Sequence, residues 1–195
     1  MLKAPRADRI AFYKFAYASS MFREATTILE FIERERIGDQ HPLNFAMWTS
    51  FHVLYGKPFK QQIASLKLDT ALIPSALTAV HADIIKGRDK MFAHADLDKF
   101  DLSDGSAMNA ISIQSAGHNI GISFRYFGPS PKRAGEMHAL TTTLSEKCRF
   151  HADKYMKRWS KRFFIPQGQR FLANTSAHSD DILLPWKMRE GLESL

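Results

Sequence analysis

The sequence predicts a mainly α, bundle-like fold with one β-hairpin insertion and an extended C-terminal tail. Three observations carry that prediction. Apolar residues recur at three- and four-residue steps through four long stretches. Clear apolar/polar alternation occurs in one place, around residues 111–126. The final segment, "IPQGQRFLANTSAHSDDILLPWKMREGLESL", has apolar anchors (Phe171, Leu183, Leu184, Trp186) and no sustained period.

Residues 6–36 read as the first helix, with Ile10, Tyr13, Tyr17, Ser20, Met21, Ile28 and Ile32 on one stripe and Gly38 as its C-cap. The second, "PLNFAMWTSFHVLYG", opens at Pro42 and closes at Gly56. "KPFKQQIASLKLD" reads as a polar connection with at most one short helical turn. The third helix starts near "TALIPSALTAV", where Pro74 suits a first turn, and runs to about Ala95. After the polar loop "DLDKFDLSDGS", Ile111 and Ile113 alternate, as do Ile120, Ile122, Phe124 and Tyr126, with "SAGHN" between the runs. That pattern predicts a hairpin at about 107–127, which should pack on the helices or a partner because an isolated two-stranded ribbon is marginal in water. The fourth helix covers about 134–163, with Leu140, Leu144, Cys148, Ala152, Tyr155, Trp159 and Phe163 on its apolar stripe. Residues 1–163 are read as one domain and 164–195 as an extension lying on the bundle or a dimer partner.

The totals narrow the functional classes. A chain of 195 residues, 45% hydrophobic and 24% charged, suits one domain with a substantial core. No apolar run approaches the roughly 18 residues of a membrane span, and "MLKAPRADRIAFYKF" lacks a signal-peptide core. With Cys148 alone, no intrachain disulfide can form, and a cytoplasmic location is expected. The net charge of +7 favours polyanionic partners, nucleic acid ahead of acidic membranes.

The stretch "LTAVHADIIKGRDKMFAHAD" contains the residue that demands an explanation. Leu77, Val80, Ile84, Met91 and Ala95 repeat at helical spacing, and Arg88 and His81 lie on the same stripe. A structural explanation is an arginine that buries its stem and pairs with a carboxylate such as Asp96, Asp98 or Asp101. Gly87, costly within a helix, would then serve close packing; its functional alternative is to let a second backbone or a phosphate approach. A sharper explanation starts from the six residues between Arg88 and His94. On an ideal helix they are about 9 Å apart along the axis and about 120° apart around it. One helix cannot easily aim both at one phosphate, whereas two copies facing each other across a dimer, or a frayed end at His94, can.

"GRDKMFAHAD" resembles the R-x(4–6)-H signature of the HEPN superfamily, with a polar residue, Asp89, after the arginine. The order of elements agrees: a long first helix, "WTSFHVLYGKPF" on the second, the motif late in the third, and a closing helix. The likeness is greatest to the AbiU-like, abortive-infection-type bacterial proteins and covers roughly residues 8–163. It implies a four- to five-helix bundle that forms a homodimer and cuts RNA without a metal or cofactor, in defence or toxin–antitoxin biology. In that scheme Arg88 clamps the phosphate, His94 is the general acid/base, and Asp89 orients or tunes one of them, while His81 and Lys90 line the cleft. The residue types suit the chemistry. Arginine forks onto phosphate oxygens, and histidine exchanges protons near neutral pH. Other HEPN proteins are non-catalytic and bind nucleotides, RNA or a partner protein, and that is the alternative implied here. A cognate antitoxin is a further expected partner.

Competing constellations are weaker. "HAD" occurs at residues 81–83 and 94–96, but helical metal pairs are spaced by three or four, so no metal site is expected. Cys148, on an apolar stripe, reads as a buried inert thiol, and no phosphate-loop pattern occurs. Lys147, Lys154, Arg158 and Lys161 stack on a second face of the last helix and are the candidate nucleic-acid surface, the alternative being a solvated face.

Overall fold

The computed structural model describes residues 6–93, 102–104, 109–116, 119–161, 163–164 and 187–188. These are mainly helical. The long helices are α1 (Arg6–Arg34), α2 (Asn44–Gly56), α3 (Thr78–Gly87) and α4 (Pro131–Ser160). Among them no single helix is long and apolar enough to cross a membrane.

α1 and α4 form the backbone of the bundle and run antiparallel. Phe12 meets Trp159 edge-on at 5.0 Å, Phe15 stacks on His151 at 4.7 Å, and Glu30 reaches His138 at 3.4 Å, so rising numbers on one helix meet falling numbers on the other. Midway, Ser19 Oγ donates to the Ser145 carbonyl (3.0 Å) and Ser145 Oγ donates to the Ser19 carbonyl (3.2 Å). Two small hydroxyl residues let the backbones approach and satisfy each other there. The α4 core face is Met137, Leu140, Thr141, Leu144, Cys148, Ala152 and Trp159, close to the stripe read from sequence, with Tyr155 half-buried.

The α1 stripe differs from expectation. Its buried apolar residues are Ala18, Phe22, Ala25 and Leu29, while Ile10, Tyr13, Tyr17, Met21, Ile28 and Ile32 are half-buried on its flanks. The helix carries apolar residues over a wide arc. Two alanines, small enough for close helix approach, mark the centre of the contact better than the larger side chains do. The C-terminus also differs. The Ile37 amide donates to the Ile32 carbonyl (2.9 Å) and that of Arg36 to the Glu33 carbonyl (3.1 Å), a Schellman closure. Arg36, not Gly38, takes the left-handed position, with φ 51°.

α2 fills the centre. Its Phe51 and Tyr55, with Phe22 of α1 and the following Phe59, form a ring cluster with centroids 5.5–6.3 Å apart. The segment read as a polar connection therefore contributes to the core. A 3-10 turn, Lys57–Phe59, buries Pro58 and Phe59, and Leu68 is buried as its amide donates to the Pro58 carbonyl at 2.8 Å.

The third helix is shorter than its periodicity suggested. Pro74 forces Ile73 into an extended conformation (φ −74°, ψ 129°), and the residues on either side form separate 3-10 turns, Thr70–Leu72 and Ser75–Leu77. After Gly87 the chain underwinds into a π-helical segment, Arg88–Ala93. α3 is tied to α4 by a buried network. Arg133 pairs with Asp83 at 2.9 Å and Glu136 at 2.7 Å and also donates to the Ser103 hydroxyl, while both Asp83 oxygens accept from the Ser103 amide. Ser130 caps α4 ahead of Pro131, three residues earlier than expected, and donates to Asp104 at 3.0 Å.

The backbone of β1 (Asn109–Ala116) pairs antiparallel with β2 (Asn119–Tyr126), placing Ile111 opposite Phe124 and Ile113 opposite Ile122. Past α4, β3 (Phe163–Phe164) pairs antiparallel with β4 (Lys187–Met188).

Candidate functional site

Arg88 follows the last α-helical residue of α3, and its stem lies across the end of α2. A Cβ built on Gly56 would come within 2.3 Å of Arg88 Cδ and 3.0 Å of Nε, so only glycine at this position leaves room for the guanidinium arm. The arm is half-buried, with 27% of the side chain exposed. Its Nη1 donates to Asp89 Oδ1 at 2.6 Å. Its Nε is buried and has no partner among the described residues. The arginine on the apolar stripe is thus neither sealed in the core nor free. It rests on a glycine and shares one acid.

The other Asp89 oxygen accepts from Lys60 Nζ, also at 2.6 Å. Lys60 comes from a different part of the chain. The turn after α2 drives Phe59 inward and leaves Lys60 on the outer side. Two cations thus converge on one carboxylate. Burial pushes the Asp89 carboxyl upward, but hydrogen bonds and charge from Lys60 and Arg88 outweigh it and hold the group below its ordinary value. All three side chains are about one-third exposed. The cluster carries one net positive charge and is open to exchange with an external anion.

His81, on α3, lies two turns before Arg88 in the chain. Its Nδ1 is 2.7 Å from the Tyr55 hydroxyl, and the Phe59 ring meets it edge-on at 4.7 Å. Burial, and then the charge of Lys60, lower its pKa to about 4, so the ring is neutral at physiological pH. Burial pushes the Tyr55 phenol upward, which keeps it protonated. A second neutral imidazole, His52, is fully buried on α2, where it donates from Nδ1 to the Trp48 carbonyl at 2.8 Å.

The structure therefore brings together Arg88, Asp89 and Lys60, places His81 two turns earlier in the chain, and leaves Lys90 exposed. His94 lies outside the described residues, as do Asp96, Asp98 and Asp101. Of the two "HAD" sequences, the first is accounted for without a metal: His81 turns to Tyr55 and Asp83 to Arg133. Among the described residues no group of three or more His, Cys, Asp or Glu is placed to hold a metal ion. Cys148 is buried, and burial pushes its thiol up to about 12.

The α4 cations are all exposed, but two donate hydrogen bonds within the fold. Lys147 Nζ donates to the Leu72 carbonyl at 3.0 Å and Arg158 to Asp8 at 3.1 Å. Lys154 lies 4.3 Å from the centroid of the exposed Phe150 ring. Lys161 follows the helix end and is exposed.

Sequence reasoning missed Gly56, Lys60 and Tyr55 as parts of this site. The available signal was "LYGKPFK", where a glycine closes an apolar helix and two lysines follow within four residues. Comparison with family models, curated proteins and solved structures finds no match to this chain.

Proposed function

We propose that the chain is an RNA-binding, HEPN-like protein of the AbiU-like kind, acting as a cytoplasmic homodimer that cuts RNA without a metal ion. The observation that carries this reading is the convergence of Lys60 and Arg88, from two different elements, on the two oxygens of one carboxylate. A phosphodiester offers the same pair of acceptor oxygens, so Asp89 stands where a phosphate would bind. The bound phosphate displaces Asp89, and the guanidinium stabilises charge that builds on its oxygens. His94, supplied by the family resemblance, takes the 2′-hydroxyl proton as that oxygen bonds to phosphorus. The bond to the 5′-oxygen then breaks, and that oxygen takes a proton from the His94 imidazolium, which restores the neutral ring. The products are a 2′,3′-cyclic phosphate and a 5′-hydroxyl. Lys90 lines the groove, and the α4 cations, Lys154 and Lys161 foremost, extend its attraction for the strand.

A second reading is a non-catalytic module of the same fold that docks a nucleotide, an RNA or a partner protein such as an antitoxin. It is favoured by Asp89 already neutralising one of the two cations, which lowers the driving force for turnover. A mixed RNA pool incubated in EDTA with wild type, Arg88→Ala and His94→Ala separates the two. Cleavage by wild type alone supports the nuclease. Binding without cleavage by wild type, weakened in Arg88→Ala, supports the module. RNA neither cut nor bound by any of the three contradicts both.

A further inference from the structure

The Tyr55–His81 pair fixes a hydrogen-bond donor that neither reading of Arg88 requires. The Tyr55 phenol is buried and protonated, and its only described partner is His81 Nδ1. A buried hydroxyl proton needs an acceptor, so the phenol donates and Nδ1 accepts. In a neutral imidazole that leaves the proton on Nε2, which is then a donor and not a base. Nε2 has no partner among the described residues, and the ring is only half-buried.

Position determines what such a donor can reach. His81 and Arg88 are seven residues apart on one helical face, so they are separated by about 10 Å along the axis and about 20° around it. They cannot share one phosphate. That span matches roughly three nucleotides of a stacked strand, at about 3.4 Å each. The charge of Lys60 is felt at both ends: it bonds Asp89 and depresses His81. His81, on α3, and Arg88 and Lys60, at the end of that helix, therefore form a track instead of a point.

We propose that His81 is a neutral hydrogen-bond donor for single-stranded RNA, contacting an acceptor on a nucleotide upstream or downstream of the phosphate held by Arg88 and Lys60, with Tyr55 as the positioning residue that fixes its tautomer. This rests on the phosphate reading of Arg88. It makes the site a groove selective for strands over single phosphates.

Nitrogen-15 NMR of the full-length protein tests it in two titrations. The first uses inorganic phosphate and the second a non-cleavable 2′-O-methyl RNA hexamer. Before titration, His81 should give the Nε2–H pattern from pH 5.5 to 8, and Tyr55→Phe, which keeps the core ring, should mix the tautomers. Phosphate should shift the Lys60 ammonium and leave His81 Nε2 in place, whereas the hexamer should shift both. His81→Phe should weaken hexamer affinity about fivefold, the size of one hydrogen bond, and leave phosphate affinity unchanged. His81→Gln, which retains an N–H, should recover part of the loss. A hexamer that shifts Lys60 but not His81 overturns this inference and leaves the Arg88 site standing. Neither ligand shifting Lys60 overturns the phosphate reading and the inference with it. An Nδ1–H tautomer in the wild type overturns the inference directly.

Discussion

Gly56 leaves the space that the Arg88 side chain occupies. Adding one methyl there places a carbon 2.3 Å from Arg88 Cδ, and the flexible arginine, not the helix backbone, is the part able to move. Gly56→Ala should therefore displace the guanidinium while keeping the fold. Phosphate or RNA binding should fall about as far as in Arg88→Ala, and thermal unfolding should shift by only a few degrees, since glycine-to-alanine backbone effects are about 1 kcal/mol. Anisotropy with labelled RNA beside a melting curve checks both halves. Asp89→Asn should act in the opposite direction. With the competing carboxylate gone, inorganic phosphate should bind a few-fold more tightly, as titration calorimetry would register. The puzzle of a cation on an apolar stripe was legible in the sequence at Arg88. Its solution was not, because the residues that receive the side chain, Gly56 and Lys60, lie about thirty positions away and nothing in local periodicity links them.

The two neutral histidines add a pH dependence. His52 and His81 both titrate near 4 in the folded chain, below the ordinary 6.5 expected when unfolded. Between these values the unfolded chain binds more protons. Stability is therefore full above about pH 6.5 and is lost as pH falls toward 4. For the fully buried His52 the loss is on the order of 3 kcal/mol. Urea titrations at pH 7.5 and 4.5 should show that decline, and His52→Leu, which carries no titrating proton, should flatten it.

At the scale of elements, the link between α3 and α4 is electrostatic and buried. The Arg133 and Asp83 side chains are each only 7% exposed. Arg133→Met leaves Asp83 charged and without its ion pair, at a cost of about 3–5 kcal/mol by the usual behaviour of buried pairs. Chemical denaturation should show this as an early transition, and the double variant with Asp83→Leu should recover much of the loss. Core faces were legible where the large apolar residues keep to one narrow stripe, as on α4 from Leu140 to Trp159. The α1 helix was legible too, but its buried face was misplaced, because packing there depends on the smallness of Ala18 and Ala25. The break at Ile73 follows from Pro74, which suits a helix's first turn but here separates two 3-10 turns. The π-helical turn at Arg88–Ala93 has no composition signal, because widening a helix by one residue per turn changes no residue's preference.

For the whole molecule, the mainly helical class was legible from periodicity alone, whereas the phosphate-directed reading rests on the charge balance and the motif and awaits the measurements proposed for it. Oligomeric state is not written in periodicity, since a face that meets a second copy looks like any other half-apolar face. If two motifs meet across a two-fold axis, sedimentation equilibrium should give twice the 22.2 kDa chain mass, and RNA cleavage should fall with dilution below the dimer constant. A monomer that cuts at an undiminished specific rate would remove the shared cleft. The proposed activity depends on Lys60 and Arg88 together holding a phosphate of a single strand. The salt dependence of binding to non-cleavable RNA measures this most directly, because each cation neutralising a phosphate contributes about 0.7 to the slope of log affinity against log salt. Lys60→Ala and Arg88→Ala should each lower that slope by about 0.7, and the pair by about twice as much; slopes identical to wild type would contradict the claim.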